Sequence, residues 1–466
     1  MVEIHDTDVL ILGSGLAGLR ATLSVFQTDP NLRITIVSTR NGPSGSSFAN
    51  RNNCLGMQVC FDLAEQNALT STVKTLAHPG FIKEPLVRIL AEESPKRFED
   101  LVRLGLKFRR HENGQWIRYP ACFSPDNRRA LVFDDLGHAH NCFRTALDPA
   151  RITWIHGHVL TLIQETAGEK ILGAAGMLAG RDARFAVQAP MTIVALGGPA
   201  GVFRYHLGSP DATGWSYGLL HAVGVPVVNS SFLQIMWANV HDKTFFPIHS
   251  LANPGSGLGP DRIPLPESVA RLATARAAHC PYGHGLPDSH LDHLLANYLL
   301  SDGSVEVSAG GLTQRIAPMV HAGNGGALID ENGRTCLPGL YACGECATGM
   351  HGANRIGGAM VLATQVFGHR AGVHAAQNIG KTPALGKKTF TCLTNKICDT
   401  HFSALTQPVQ NVPTAEWIMT NNNYPGIDNK QHVGVRRCAF DREIRETNLA
   451  AISRELIVRH HQSLSK

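Results

Sequence analysis

Two stretches of the chain carry residue types whose spacing can do chemistry. The first is Gly344-Glu345-Cys346-Ala347-Thr348-Gly349-Met350-His351-Gly352-Ala353-Asn354-Arg355-Ile356-Gly357-Gly358. Its glycines let backbone approach a planar ligand, Glu345 can accept from a ribose hydroxyl, and Arg355 offers a planar fork suited to a carboxylate. Read alone, the run is also compatible with a glycine-rich loop carrying a surface arginine. The second is Gly13-Ser14-Gly15-Leu16-Ala17-Gly18. Such a turn aims unpaired N–H groups and the positive end of a helix at a diphosphate, so a dinucleotide is the leading ligand class.

Elements must hold these stretches in place. Val9–Leu12 is an apolar run of strand length, and a helical pattern over Leu16–Phe26 follows the glycines. Arg33–Val37 reads as a second strand, which completes a βαβ start. Simple dinucleotide folds place an acid about 20 residues beyond the glycines to take a ribose hydroxyl. Ser38-Thr39-Arg40 stands there instead, which argues against an NAD-binding Rossmann domain. Asn41–Ser47 is a Gly/Ser loop. Helices are expected over Glu84–Leu90 and Pro95–Leu104, and short strands over Ile152–Ile155, Gly157–Leu160 and Ile171–Leu178. Met191–Gly198 reads as a buried strand ending in a glycine pair. Between Gln234 and Pro318, Pro and Gly cluster and a helix is expected over Glu267–Ala278, the texture of an inserted lobe. The sheet pattern resumes near Met319, with a strand and turn over Gly339–Glu345 and a helix over Ala359–Gln377. Asp441–Arg459 reads as a further helix.

The chain has 466 residues, 43% hydrophobic and 17% charged, enough for a large core and two or three domains. A net charge of +5 without a basic tract gives no signal for nucleic acid. No apolar run reaches the roughly 18 residues of a membrane span, and the N-terminus lacks a signal core. The 11 cysteines are scattered, unlike a secreted disulfide framework, so a cytoplasmic setting is expected. Cys343-x-x-Cys346 has the spacing of a redox pair or half a metal site, but no second pair matches it and both read as small packed residues. Cys392 and Cys398 have no partner motif, and no metal site is expected.

Taken together, the two stretches resemble the FAD-binding segments of the fumarate reductase/succinate dehydrogenase flavoprotein family, and within it the L-aspartate oxidases most. The likeness runs in order through Gly45-Ser46-Ser47-Phe48, Ala195-Leu196-Gly197-Gly198, Ala212-Thr213-Gly214, Ile316-Ala317-Pro318-Met319-Val320-His321 and Gly339-Leu340-Tyr341-Ala342. It implies an α/β fold: a Rossmann-like FAD-binding domain of the glutathione-reductase type, an inserted α+β capping domain and a short helical C-terminal region. The divisions expected are 1–234 and 319–380 for the FAD-binding domain, 235–318 for the cap and 381–466 for the C-terminal region.

The resemblance also implies site residues. Gly13, Ser14, Gly15, Leu16, Ala17 and Gly18 take the phosphates and adenosine, Glu345 the ribose, and Ser38, Thr39, Ser46 and Ser47 positions beside the cofactor. Met360-Val361 inherits a main-chain contact to the flavin ring. No histidine lies in the Ser46–Ser47 loop, so FAD is expected to be noncovalent. His321 and Arg355 correspond to carboxylate-binding residues, with His351 as a neighbour in the same loop. The expected partners are a small carboxylate substrate and, in one reading, an electron-transfer protein.

Departures bear on the substrate. Gln234-Ile235-Met236-Trp237-Ala238 replaces a segment that supplies a substrate histidine, Trp215 replaces an aspartate, and the cap arginine has no counterpart among Arg262, Arg271 and Arg276. The changes to Met236 and Trp215 predict a more apolar pocket. The function implied is FAD-dependent hydride transfer to or from an amino acid or dicarboxylate-like substrate. The alternatives are a flavoprotein subunit that passes electrons to a partner, and an FAD-bound assembly component with altered catalysis.

Overall fold

The computed structural model describes residues 2–49, 54–165, 170–209, 211–380 and Phe390. The expected C-terminal region 381–466, with its helix over Asp441–Arg459 and with Cys392 and Cys398, lies outside the described residues apart from Phe390. Val9–Leu12, fully buried, is a central strand, flanked in parallel by Ile34–Ser38 and Met191–Val194. Leu340–Ala342 extends the parallel set beyond Met191–Val194. A strand buried on both faces must be apolar along its whole length, which is why these runs are continuous rather than alternating.

On the other side stands Ile152–Gln164, a single strand where two short ones are expected. Its first half pairs in parallel with Ile34–Ser38, and its second half pairs antiparallel with Ile171–Leu178. Gly157 sits at the changeover, where a Cβ would lie 2.6 Å from the Met177 carbonyl oxygen. The glycine that looks like a break is the residue that lets the neighbouring backbone close in. Arg184–Gln188 and Val2–Asp6 complete an eight-stranded sheet.

Helix Leu16–Thr28 packs against helix Ala359–Gln377 at close range. A Cβ on Gly372 would stand 2.4 Å from the Ala21 carbonyl oxygen, so only glycine permits this approach. That contact ties the first glycine turn to the stretch following Gly358, although the two are remote in sequence.

The segment from Leu233 to Gly323 forms a second layer. Leu233–Asn239 pairs antiparallel with Leu312–Gly323, which pairs with Val305–Ala309, which pairs with Gly257–Leu258. The strand over Met319 therefore belongs to this antiparallel sheet, and the parallel sheet is rejoined at Leu340. Helix Glu267–Ala275 continues as a 3-10 turn over Arg276–Ala278, and helix Ser289–Ala296 packs nearby. The lobe has its own core, in which the Trp237 indole N–H donates to Asp292 Oδ1 at 2.8 Å and Arg276 Nη1 donates to Asp292 Oδ2 at 2.6 Å. No helix among the described residues is long and apolar enough to cross a membrane.

Candidate active site

The strand-to-helix turn opens into a cleft. Gly13, at φ +106°, lies against the Ala195 backbone, where a Cβ would stand 2.4 Å from the carbonyl oxygen. Gly18 faces inward rather than into the cleft, and its Cβ would meet the Gly13 carbonyl oxygen at 2.0 Å. It is the packing residue that seats the helix on the turn. The helix starts at Leu16 with no side-chain cap and no acid in its first turn. Its first N–H groups and positive end are thus left for an anion. Ser14 Oγ bonds Ser38 Oγ at 2.6 Å and Ser44 Oγ at 2.9 Å, fixing the serines around the turn.

The lining includes Gly13, Ser14, Gly15, Leu16, Ala17, Ser38, Thr39, Ser46, Ser47, Glu345 and Met360. This glycine-walled slot, with an uncapped helix start, fits the diphosphate and sugar of a flavin dinucleotide. Cys343 also faces it, and burial pushes this thiol far above its ordinary range. Cys346 is wholly buried, its Sγ bonded to the Val194 carbonyl at 3.1 Å and its thiol raised by burial to about 12. The pair serves packing. Among the described residues no cluster of ligands suited to a metal occurs.

A second cleft joins the first, sharing Ser46, Ser47, Glu345 and Met360 with it. Here stand His321, Arg355, Val361, Gln234, Met236 and Lys243. Glu345 marks the junction: its Oε1 accepts from the Gly323 N–H at 2.8 Å, and burial raises its carboxyl to about 7. The Arg355 guanidinium is buried. Nη1 donates to the Ile356 carbonyl at 3.1 Å, Nη2 donates to Gln234 Oε1, and Nε has no partner. The Gln234 amide donates back to the Arg355 carbonyl at 2.8 Å. Arg355 makes no ion pair among the described residues, and burial lowers its pKa to about 10. A buried cation of this kind lacks only an anion.

His321 comes from the strand Leu312–Gly323, edge-on to Phe245 with ring centroids 6.1 Å apart. Its Nδ1 is buried without a partner among the described residues, and burial, assisted by the Arg355 charge, lowers its pKa to about 4. It is a neutral imidazole at pH 7. The strand pairing that places His321 also places Gln234 and Met236 on the neighbouring strand.

His351 lines neither cleft; it is buried, and both its ring nitrogens lack partners among the described residues. Trp215 also stays out of the clefts. Its indole N–H donates to the Val159 carbonyl at 2.7 Å, because the helix Trp215–Ala222 turns that face to the core. Of the two changes expected to make the pocket apolar, only Met236 lines it.

None of the three cap arginines reaches the clefts, in line with the lack of a counterpart expected from the sequence. Arg276 is consumed by Asp288 and Asp292, while Arg262 and Arg271 are exposed and line neither cleft. The lobe's cation in the cleft is Lys243, whose Nζ donates to the His206 carbonyl at 3.3 Å. Its backbone is left-handed, at φ +61°. Nothing in the local sequence marks it; only the turn after Asn239 brings it to the site. Cys122 is likewise a lining residue that no motif flags.

The family model described as FAD binding domain matches residues 8–259 and 284–361, leaving 260–283 of the lobe between the two matched segments. One subunit of the CoM/CoB fumarate reductase of Methanothermobacter marburgensis is 30% identical over 412 residues, covering 81% of this chain and 73% of that one. L-aspartate oxidase of Caulobacter vibrioides is 28% identical over 393 residues, covering 79% and 76%. Among solved structures, the Mycobacterium smegmatis Sdh1 complex superposes with a TM-score of 0.68 at 20% identity, covering 100% of this chain and 86% of that one.

Proposed function

The chain belongs to the FAD-binding family of fumarate reductase flavoproteins and L-aspartate oxidases and is an FAD-dependent oxidoreductase; from this premise we propose that it oxidises or reduces a small carboxylate held by Arg355 and His321. The observation that carries the proposal is the buried Arg355 guanidinium, which makes no ion pair among the described residues and stands in a cleft continuous with the glycine-walled slot. When bound, FAD supplies the hydride acceptor or donor at its N5.

The cofactor is held by Gly13–Ala17, Ser38, Thr39, Ser46, Ser47, Glu345 and the Met360–Val361 backbone, with Gly18 keeping the turn closed. Glu345 takes a ribose hydroxyl on a carboxylate whose burial is otherwise relieved by one backbone N–H. Arg355, braced by Gln234 and the Ile356 carbonyl, presents an N–H not used in those bonds to one carboxylate oxygen, and neutral His321 offers a ring N–H to the other. Two fixed donors orient the carboxylate so that its neighbouring carbon faces the cofactor end of the cleft, which is catalysis by positioning. Lys243 supplies a second positive charge from the lobe, suited to a second acidic group, so a dicarboxylate or acidic amino acid is favoured over a monocarboxylate. Met236 makes one wall apolar.

No histidine lies in the Ser46–Ser47 loop, and we take FAD to be noncovalent: acid precipitation releases the flavin, whereas flavin retained on the pellet refutes this. The function is tested by anaerobic titration of the FAD-loaded protein with succinate and L-aspartate, and of its photoreduced form with fumarate. Bleaching or recovery of the flavin band with one of these supports the reading; no response to any carboxylate refutes it. A second reading, electron transfer to a partner protein, draws support from the fumarate reductase relative, which is itself one subunit of an assembly. It predicts negligible reoxidation by oxygen and rapid reoxidation by an artificial one-electron dye.

A further inference from the structure

Where the lobe meets the FAD-binding base, two cysteines face each other. Cys122 lies in the tight turn Ala121–Ser124 of the base, where the Ser124 N–H donates to the Ala121 carbonyl at 2.9 Å. Its own carbonyl accepts from the Gly357 N–H at 3.0 Å, two residues past Arg355. The next residue, Phe123, is left-handed at φ +64°, a conformation rare outside glycine. Cys280 lies in the lobe, inside the 260–283 stretch that the family model does not match. Its carbonyl accepts from Arg276 Nη2 at 2.8 Å. The residue before it, His279, stacks on Phe123 with ring centroids 4.3 Å apart and planes at 20°, and is held by Asp288 at 3.2 Å. Backbone bonds and an aromatic stack therefore fix the two segments independently of the thiols, and Cys122 and Pro281, the residue after Cys280, line the same cleft.

We propose that Cys122 and Cys280 form a redox-active dithiol at the edge of the substrate cleft, one that low-molecular-weight disulfides oxidise to a bond joining lobe to base. Cys122 lines the cleft beside Arg355, and Cys280 is exposed. The neighbouring Cys280 thiol, then the charges of His279 and Arg355, hold the Cys122 thiol down, while Cys122 in turn pushes Cys280 up. Arg276 is the other charge that acts on Cys280. Cys122, beside the Arg355 cation, is assigned as the attacking thiol and Cys280 as the resolving thiol, the pairing that redox-sensing cysteines use. Cys60, Cys343 and Cys346 are buried with raised thiols and do not compete.

The chemistry balances as thiol–disulfide exchange. Cys122 Sγ attacks one sulfur of the external disulfide, the external S–S bond breaks, and one small thiolate leaves. Cys280, its proton passed to that thiolate, attacks Cys122 Sγ and expels the second. Two thiols of the chain are oxidised, and one external disulfide is reduced to two thiols. The new bond stands at the cleft edge, next to Gly357 of the Arg355 loop, so oxidation fastens the lobe over the site.

The test uses the full chain, reduced, desalted and incubated with glutathione disulfide, then acid-quenched, alkylated and mapped without reduction. The expected product is a peptide pair joined through Cys122 and Cys280, needing no variant. Cys280→Ser should instead trap glutathione on Cys122 and move its alkylation midpoint up toward the ordinary thiol range. Separate glutathione adducts on the two residues, oxidation at Cys54 or elsewhere with this pair left reduced, or a Cys122 alkylation profile unchanged in Cys280→Ser would overturn the proposal.

Discussion

Replacing Arg355 by methionine tests whether the buried cation is there for a ligand or for the fold. Methionine keeps much of the side-chain volume and removes the charge. Burial takes the Arg355 pKa from its ordinary value down to about 10, which at about 1.36 kcal/mol per unit is a penalty of about 3 kcal/mol on the charged form. The folded pKa is lowered, so the folded state binds this proton less readily than the unfolded chain. The penalty is therefore present in full at pH 7 and disappears only as pH rises through both values. Removing the cation lifts it. The same change removes the bonds to Gln234 Oε1 and the Ile356 carbonyl, each worth about 1 kcal/mol. The terms nearly cancel, and the ligand-free variant should melt at or slightly above the parent.

Carboxylate binding should behave in the opposite way. A hydrogen bond to a charged group is worth about 1.5–3 kcal/mol, so losing the Arg355 contact weakens binding by about 10- to 100-fold. Thermal melts of the FAD-loaded protein with and without succinate, fumarate or L-aspartate read both effects. The parent should be stabilised by at least one of them and the variant by none, with flavin content equal. A variant that melts well below the parent, yet keeps the carboxylate-induced shift, would show that Arg355 is a structural cation and would refute the reasoning.

Other consequences are equally direct. His351→Leu should leave turnover intact, because the residue lines neither cleft, and should raise stability by about 1–2 kcal/mol by removing two unpartnered buried nitrogens. Burial holds the His351 pKa at about 3, so the unfolded chain binds that proton first and stability is lost as pH falls from about 6.5; the variant's acid limb should be shallower in pH-dependent melts. Loss of turnover would return His351 to the site. Lys243→Met should raise KM for a dicarboxylate about 10- to 100-fold while sparing monocarboxylates and flavin content, read by steady-state kinetics; an equal effect on both would remove Lys243 from second-acid recognition. Gly18→Ala places a Cβ 2.0 Å from the Gly13 carbonyl oxygen and should yield protein depleted of flavin, measured by absorbance ratio. Full flavin content would mean that the turn can open without harm.

Much of the cofactor end was legible before any coordinates. Short-range glycine spacing encodes backbone geometry, and the strand Val9–Leu12, the helix from Leu16 and the helix Ala359–Gln377 lie where periodicity puts them. Gly157 misled for a physical reason: a glycine that breaks a pattern in sequence admits a neighbouring strand in space. Trp215 misled because its position in a motif says nothing of the face its helix turns inward. His351 shares a loop with Arg355 but not a cavity, since a left-handed Gly352 lies between them at φ +69°.

The sequence by itself carried the cofactor class and the family, and resemblance to that family marked Glu345, His321 and Arg355 as site candidates, because the motifs that carry it are short and local in the chain. Only the tertiary structure decided which charges share the cleft. It set Lys243 there and removed Arg276 to Asp292, placed neutral His321 and Gln234 on paired strands, and brought Cys122 to Cys280 from separate layers. Burial and pairing depend on residues far apart in the chain, and no local pattern records them.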